Sequence, residues 1–190
     1  MSEQKKIAVM LAQGYEEGES LFLTDILRRA GFYAETVSIT DNRMVTGAQG
    51  ITVQSDRVLP GNEEEIGLFD MIILPGGMPG AANLKACPAV IKLISDFDRK
   101  GKWIGAICAA PMVLAEAGIS RGRRLTSYPA DSYRALFTDA DYREETVVVD
   151  RNLITSRGPA TTLPFAYTIV DCLGGDSAPL KKGMLYQEMK

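Results

Sequence analysis

Apolar runs and stretches of helical periodicity alternate along most of this chain. Short continuous apolar runs predict buried strands, whereas apolar residues spaced three and four apart predict amphipathic helices. We predict strands at residues 6–11, 32–39, 69–74, 103–107, 125–129, 146–150 and 152–156, and a small hairpin within 41–53. We predict helices at residues 19–30, 89–97, 111–117, 132–137, 161–173 and 177–186. This order predicts an α/β fold, in which a mostly parallel central sheet carries helices on both faces.

Size and composition bound the class of protein. A chain of 190 residues is long enough for one domain with a substantial core, so we predict a single domain over residues 1–190. The hydrophobic and charged fractions, 46% and 24%, are typical of globular proteins, and a net charge of −3 gives no sign of nucleic-acid binding. No apolar run approaches the length of a membrane span, and no apolar signal region follows the first residues. We therefore predict a cytoplasmic protein with neither a membrane nor a nucleic acid as partner.

The absence of histidine from the sequence narrows the chemistry further. It excludes Ser-His-Asp and Cys-His catalysis within the chain, and it excludes metal sites with imidazole ligands. The three cysteines are scattered and form no C-x-x-C pair, so neither a disulfide framework nor a zinc site is expected. We predict packing roles for Cys87 and Cys172. Any nucleophile in this chain must be activated by a group other than imidazole.

The stretch from Trp103 to Ala115 contains the strongest candidate for chemistry. It begins as an apolar, β-like run and turns at Cys108 into a helix-like run. The cysteine is therefore predicted at the carboxyl end of a buried strand, where open α/β sheets bind their ligands. Ala106 and Ala110 are small, as the tight turn of a nucleophile elbow requires. The alternative is an unreactive core cysteine, because free cysteines are often buried.

A turn rich in carboxylates follows the first predicted strand. Glu16 and Glu17 are explained by the helix macrodipole, which favours negative charge at a helix N-terminus. Glu19 is the better functional candidate, because burial would raise the pKa of its carboxyl and keep it protonated. A protonated Glu19 would donate a hydrogen bond to a Cys108 thiolate, which the helix after the cysteine also favours. No G-x-G-x-x-G follows this strand and no Walker A sequence occurs, so nucleotide binding is not expected.

The turn after the strand at 69–74 contains Gly76 and Gly77. The commonest role of such a pair is a tight turn. The functional alternative is an oxyanion hole, in which the backbone N–H groups of Gly77 and Ala109 converge on a developing negative oxygen. Gly76 is a candidate lining residue of the same pocket. Tyr128 and Arg157 lie in predicted loops at the sheet edge, where they either line the pocket or serve as surface and packing residues.

Four blocks of this sequence, in this order, resemble the signature motifs of the ThiJ/PfpI superfamily. The similarity runs from about Lys6 to Gly175, and within the superfamily it is greatest to the branch of the Parkinsonism-associated deglycase and its bacterial relatives. The blocks are Ala12-Gln-Gly-Tyr-Glu-Glu-Gly-Glu19, Leu74-Pro-Gly-Gly-Met-Pro-Gly-Ala81, Ala106-Ile-Cys-Ala-Ala-Pro111 and Thr155-Ser-Arg-Gly-Pro159.

The resemblance implies a flavodoxin-like three-layer sandwich that forms a homodimer and needs no cofactor or metal. It implies that Cys108 is a reactive, redox-sensitive nucleophile and that Glu19 is its protonated partner. It also implies that Gly77 and Ala109 supply backbone donors. Glyoxalase, protein deglycase, chaperone and oxidative-stress roles are all associated with this family.

Two positions depart from the pattern of several relatives. Tyr128 stands where several of them carry a histidine near the cysteine, so amidase-like or protease-like hydrolysis is not expected. A tyrosine there would still be able to donate a hydrogen bond to a bound carbonyl. Gln49 stands where some relatives have an arginine that reaches the pocket of the partner subunit, so anion recognition is expected to be weaker.

Three hypotheses follow for the function. In the first, which we favour, a Cys108 thiolate attacks an α-oxoaldehyde or a carbonyl-modified protein, with Glu19 as acid and base. In the second, the protein is a non-enzymatic redox sensor or chaperone whose Cys108 is oxidised to sulfinate. In the third, the chain shares only the fold. A fully buried Cys108 without an adjacent cavity would favour this last hypothesis.

Overall fold

The computed structural model describes residues 4–186, which contain eleven strands and eight α-helices. The strands are β1 Lys6–Leu11, β2 Tyr33–Ser38, β3 Met44–Thr46, β4 Thr52–Gln54, β5 Arg57–Val58, β6 Met71–Leu74, β7 Trp103–Ile107, β8 Arg124–Leu125, β9 Asp141–Tyr142, β10 Val147–Asp150 and β11 Leu153–Ser156. The helices are α1 Glu17–Arg29, α2 Glu63–Ile66, α3 Gly80–Ala86, α4 Pro88–Arg99, α5 Pro111–Glu116, α6 Asp131–Arg134, α7 Thr162–Cys172 and α8 Ala178–Gly183. Two 3-10 turns, Ala135–Phe137 and Pro159–Thr161, complete the regular structure of this part of the chain.

Seven strands form the central sheet, in the order β10-β11-β7-β6-β1-β2-β5. All neighbouring pairs are parallel except β10 with β11, which form an antiparallel hairpin. Because β1, β6, β7 and β11 run in the same direction, their carboxyl ends meet at one edge of the sheet. The predicted mostly parallel sheet is therefore confirmed, and so is the small hairpin, formed by β3 and β4.

Helices cover both faces of this sheet, as predicted, and the fold is flavodoxin-like. On one face, α1 and α7 bury side chains such as Leu23 and Phe165 in a cluster with Ile7 and Val9 of β1. On the other face, α4 and α5 bury residues such as Phe97 and Leu114, together with Ala8 and Met10 of the same strand. The alternate residues of β1 thus enter different cores. A strand covered on both faces must be apolar throughout, which explains its continuous apolar run.

Several predicted boundaries are wrong for local reasons. The strand predicted to begin at Phe69 begins at Met71, because the carboxylate of Asp70 accepts hydrogen bonds from the Lys6 backbone and the Lys5 side chain. The helix predicted from Glu19 begins two residues earlier, because the side chain of Glu16 caps it.

Other differences concern short elements. No pattern in the sequence predicts β5, β9 or α3. For α3, a segment that begins with glycine and follows a glycine-rich turn gives little helical signal. The strand predicted at 125–129 is reduced to β8, and the last helix ends at Gly183 rather than at residue 186. Within residues 4–186, no helix has the length and apolar character needed to cross a bilayer.

Candidate active site

Cys108 occupies a sharp turn between β7 and α5. Its φ of 63° lies in the left-handed region, which is costly for a residue with a side chain. Two neighbours hold this conformation. The N–H of Cys108 donates to the carbonyl of Ser156 over 3.1 Å, and the carbonyl of Cys108 accepts from the N–H of Tyr128 over 2.8 Å. Ala106 and Ala110 are fully buried, which explains why small residues flank the turn.

Glu19 lies on the first turn of α1 and is completely buried. The side chain of Glu16 accepts a hydrogen bond from the Glu19 N–H and so fixes the start of the helix. The Oε2 atom of Glu19 accepts a hydrogen bond of 2.7 Å from the N–H of Gly76. Its Oε1 atom is buried and has no hydrogen-bond partner of ordinary geometry among residues 4–186. A backbone donor thus anchors one carboxylate oxygen, and the other oxygen has no such anchor.

Gly76 brings the carboxyl and the thiol together because it has no side chain. A Cβ atom on this residue would lie 2.7 Å from the Cβ of Cys108 and 2.8 Å from Oε2 of Glu19. It would also lie 3.0 Å from the N of Ala109. Contacts this short would displace at least one of the three groups. The turn after β6 therefore requires glycine for the close approach of Glu19 and Cys108.

The pKa values of the two side chains depend on each other. Burial raises the pKa of Glu19 to about 7, although the Gly76 N–H and the Cys108 thiol lower it. Burial and the negative charge of Glu19 raise the pKa of Cys108 to about 12. When Glu19 is ionised, the thiol therefore keeps its proton. A thiolate at neutral pH requires that this proton lie on Glu19, which removes the negative charge beside the sulfur.

Two backbone N–H groups have the opposite effect on the pKa of the Cys108 thiol. The N–H groups of Gly77 and Ala109 interact with Cys108 and lower the pKa of its thiol. Gly77 has a φ of 84°, and a Cβ there would lie 2.3 Å from the N of Glu16, so this turn also requires glycine. Both predicted backbone donors thus lie beside Cys108, as the proposed oxyanion hole requires.

The two remaining pocket candidates have different surroundings. The backbone of Tyr128 contacts Cys108, while its side chain is 44% exposed. The guanidinium of Arg157 donates to the backbone carbonyl of Glu144 and lines a small cavity of about 70 Å³. The other residues that line this cavity are Pro129, Ala130, Asp131, Arg134, Tyr142 and Glu144. The Arg157 side chain therefore belongs to this neighbouring cavity, whose lining includes neither Cys108 nor Glu19.

Tyr133, on α6, is a residue near the site that no sequence pattern predicts. Its ring packs edge-to-face on that of Tyr128, with centroids 5.9 Å apart and an interplanar angle of 72°. Burial and the neighbouring Cys108 and Tyr128 raise the pKa of its phenol. Helix α6 has only four residues and no apolar periodicity, so the local sequence carries no signal that this side chain approaches the cysteine.

Glu17 lies in the first turn of α1, as predicted, and has a second role that the sequence does not indicate. Glu16 is the helix cap, whereas Glu17 is buried and accepts hydrogen bonds from the N–H groups of Gln49 and Ile51, at 2.8 and 3.3 Å. It therefore holds the loop between β3 and β4, while the Gln49 side chain is exposed. Within the described part of the chain, no three His, Cys, Asp or Glu residues group as metal ligands would.

The fold and this arrangement define a class: flavodoxin-like α/β proteins that present a cysteine on a strained turn after a central strand. The chain belongs to the DJ-1/PfpI family, whose family model matches residues 5–172. It is 36% identical over 172 residues to the Parkinson disease protein 7 homolog of Danio rerio, and the match covers 90% of each chain. It is 33% identical to the glutathione-independent glyoxalase DJR-1.2 of Caenorhabditis elegans over 92% of each. The crystal structure of Drosophila melanogaster DJ-1beta superposes with a TM-score of 0.91 at 36% identity, over 96% of this chain and 98% of that one.

Proposed function

We propose that this protein converts α-oxoaldehydes such as methylglyoxal to hydroxy acids, or removes them from proteins, with Cys108 as nucleophile and Glu19 as acid and base. The observation that carries the proposal is the buried pair itself. A carboxyl with a pKa near 7 lies beside a thiol, and two backbone donors act on the same sulfur. The similarity to a protein named a glutathione-independent glyoxalase supports it, since that name describes this reaction without a thiol cofactor.

The first step is addition of the thiol to the aldehyde. The Glu19 carboxylate takes the thiol proton as Sγ of Cys108 bonds to the aldehyde carbon, and the C=O electron pair moves to oxygen. The N–H groups of Gly77 and Ala109 hold this oxyanion. The oxyanion then takes a proton from Glu19, which gives a neutral hemithioacetal and restores the carboxylate. A carboxyl with a pKa near the working pH is suited to both directions of transfer.

The second step moves a proton between the two substrate carbons. The Glu19 carboxylate takes the proton from the carbon bonded to sulfur, and the electron pair forms a C=C bond as the ketone oxygen becomes an enolate. Glu19 returns the proton to the second carbon, the hydroxyl proton of the first carbon passes to the enolate oxygen, and the first carbon becomes a thioester carbonyl. Water then cleaves the thioester, which releases the hydroxy acid and the free thiol. The whole reaction consumes one aldehyde and one water, and it requires no oxidant.

A turnover assay with methylglyoxal tests this proposal. We expect Cys108→Ser to abolish turnover, and Glu19→Gln to lower kcat by about 10²- to 10⁴-fold, as for the loss of a general acid–base. Cys87→Ser and Cys172→Ser are matched controls, because these thiols are free and partly buried like other structural cysteines. Turnover by Cys108→Ser at the wild-type rate would refute the proposal.

The alternative is a redox sensor or chaperone in which Cys108 is oxidised to sulfinate. The specific observation in its favour is the unpaired Oε1 of Glu19, which, when protonated, is able to donate to a sulfinate oxygen. The N–H groups of Gly77 and Ala109 would hold the same group. Mass spectrometry after mild peroxide treatment should then show two added oxygens on the Cys108 peptide of the wild type, and fewer in Glu19→Gln. Preferential oxidation of Cys87 or Cys172 would contradict this function.

We also propose that the protein is a homodimer in the cytoplasm. Exposed apolar side chains on α1 and on the adjacent hairpin support the dimer: Leu21, Phe22, Met44 and Ile51. Sedimentation of wild type and Phe22→Glu tests it, with Leu68→Glu as a control at an exposed leucine elsewhere. A monomeric wild type would refute the dimer. Free thiols suit a reducing compartment, and cell fractionation would check the location.

A further inference from the structure

The turn at Cys108 has Glu19 and Gly76 on one side and the segment after β8 on the other. Strand β7 lies between β6 and β11 in the sheet. Glu19 and Gly76 approach the cysteine from the β6 side, where they hydrogen-bond to each other. The segment after β8 approaches from the β11 side, because the N–H of Thr126 donates to Oγ1 of Thr155 over 2.9 Å. Any group bonded to Sγ therefore has the carboxyl on one side and this second segment on the other.

Tyr133 is an aromatic side chain of this second segment that faces the core. It is half-buried and packs against the core cluster that contains Cys108 and Ala109, whereas Tyr128 is 44% exposed. Its ring is fixed from outside by the edge-to-face contact with Tyr128. Its backbone is fixed by the hydrogen bond of 3.0 Å from its N–H to the carbonyl of Ala130. Its hydroxyl makes no hydrogen bond with another residue in the range 4–186, so its proton is available.

We propose that the Tyr133 hydroxyl donates a hydrogen bond to the second carbonyl oxygen of a substrate held on Cys108, and that it thereby selects α-oxoaldehydes over simple aldehydes. This inference rests on the proposed function and adds a residue to it. The two backbone donors already serve the oxygen on the carbon bonded to sulfur. The neighbouring oxygen acquires negative charge when Glu19 moves the proton between the carbons, and Tyr133 lies on the side opposite the carboxyl.

The phenol suits a donor that does not transfer its proton. Its pKa is raised above the ordinary 10.0 by burial and by the charges of Cys108 and Tyr128, so it stays protonated at neutral pH. A hydrogen bond to a developing oxyanion is stronger than one to a neutral carbonyl. Tyr133 should therefore stabilise the enolate more than the bound ketone, and its loss should lower kcat more than it raises KM.

The test compares Tyr133→Phe with wild type, with Tyr128→Phe, and with Tyr33→Phe as a matched control. Tyr33 lies at the start of β2, at the opposite edge of the sheet. We expect Tyr133→Phe to lower kcat for methylglyoxal by about 10- to 100-fold at nearly unchanged KM. Tyr33→Phe should keep the wild-type rate, and all four proteins should unfold at similar temperatures. Tyr128→Phe should lose less than Tyr133→Phe, because it keeps the ring contact.

Failure of this inference is distinguishable from failure of the proposed function. If Cys108→Ser is inactive while Tyr133→Phe retains the wild-type kcat, the proposed function stands and the role of Tyr133 is refuted. If wild type shows no Cys108-dependent turnover, an ultraviolet titration of the tyrosines tests whether Tyr133 lies beside Cys108. One phenol should then ionise at a higher pH in wild type than in Cys108→Ser. In the Tyr133→Phe background, the Cys108→Ser substitution should leave the tyrosine titration unchanged. Identical titrations of wild type and Cys108→Ser would overturn the inference.

Discussion

The N–H of Gly76 donates a hydrogen bond to Oε2 of Glu19 over 2.7 Å, and this contact connects the turn after β6 to the first turn of α1. It holds the Glu19 carboxyl close to Cys108, while Oε1 makes no hydrogen bond with another residue in the range 4–186. The hydrogen bond favours the ionised carboxyl, but burial outweighs it, so the pKa of Glu19 is raised to about 7. The site therefore holds a carboxyl that changes its protonation close to neutral pH.

The stability of the folded protein should fall as pH rises towards neutrality. Because the pKa of Glu19 is about 7 in the folded state and ordinarily 4.5, the folded state binds more protons between these values. The contribution of this group is fully present below about pH 4.5 and is lost as pH rises through 7, an effect of about 3 kcal/mol. Urea unfolding of wild type and Glu19→Gln across this range measures it. Parallel pH profiles for the two proteins would contradict the raised pKa.

The pH dependence of turnover should reveal the same group. In the proposed reaction Glu19 must be ionised to accept the thiol proton, so kcat/KM for methylglyoxal should rise with pH and level off above an apparent pKa near 7. This value belongs to the pair of Glu19 and Cys108. The acid limb should be absent from the residual activity of Glu19→Gln. Steady-state rates in buffers of constant ionic strength provide the measurement, and an acid limb near pH 4.5 would show an unperturbed carboxyl.

Gly76→Ala should damage the site without a change in any reacting group. The new methyl group would lie within 3.0 Å of Cys108, Glu19 and Ala109, so one of them must move. Overpacking of this kind costs about 1–3 kcal/mol of stability, and we expect turnover to fall by at least about tenfold as the pair separates. Gly183→Ala is the control, because a Cβ there meets no atom within 4 Å. Equal activity of Gly76→Ala and wild type would show that the close approach is not needed.

Strain at Cys108 should appear in a comparison of two inactive variants. Because φ is 63° at this residue, Cys108→Gly should be more stable than Cys108→Ala by about 1 kcal/mol. The order should be reversed at Cys172, the last residue of α7, where alanine is favoured over glycine by about 1 kcal/mol in an ordinary helix. Chemical denaturation of the four variants checks both orders. A more stable Cys108→Ala would argue against a strained turn.

The sequence by itself determined the class of fold and the principal candidate residues. Apolar runs such as Ile7 to Leu11 predict a strand that is buried on both faces, because neither face of such a strand contacts water. The small residues around Cys108 predict the tight turn that the structure shows. These are local properties, since periodicity and side-chain size act within a few residues of chain.

Only the tertiary structure decided which side chains meet. Gly76 and Glu19 are 57 residues apart in the chain, and their contact depends on parallel strands that end at one edge of the sheet. The placement of Arg157 in a neighbouring cavity, of Glu17 under the β3–β4 loop and of Tyr133 near Cys108 also depends on long-range packing. Burial, which raises the pKa of Glu19 to about 7, is a property of the whole fold rather than of any motif.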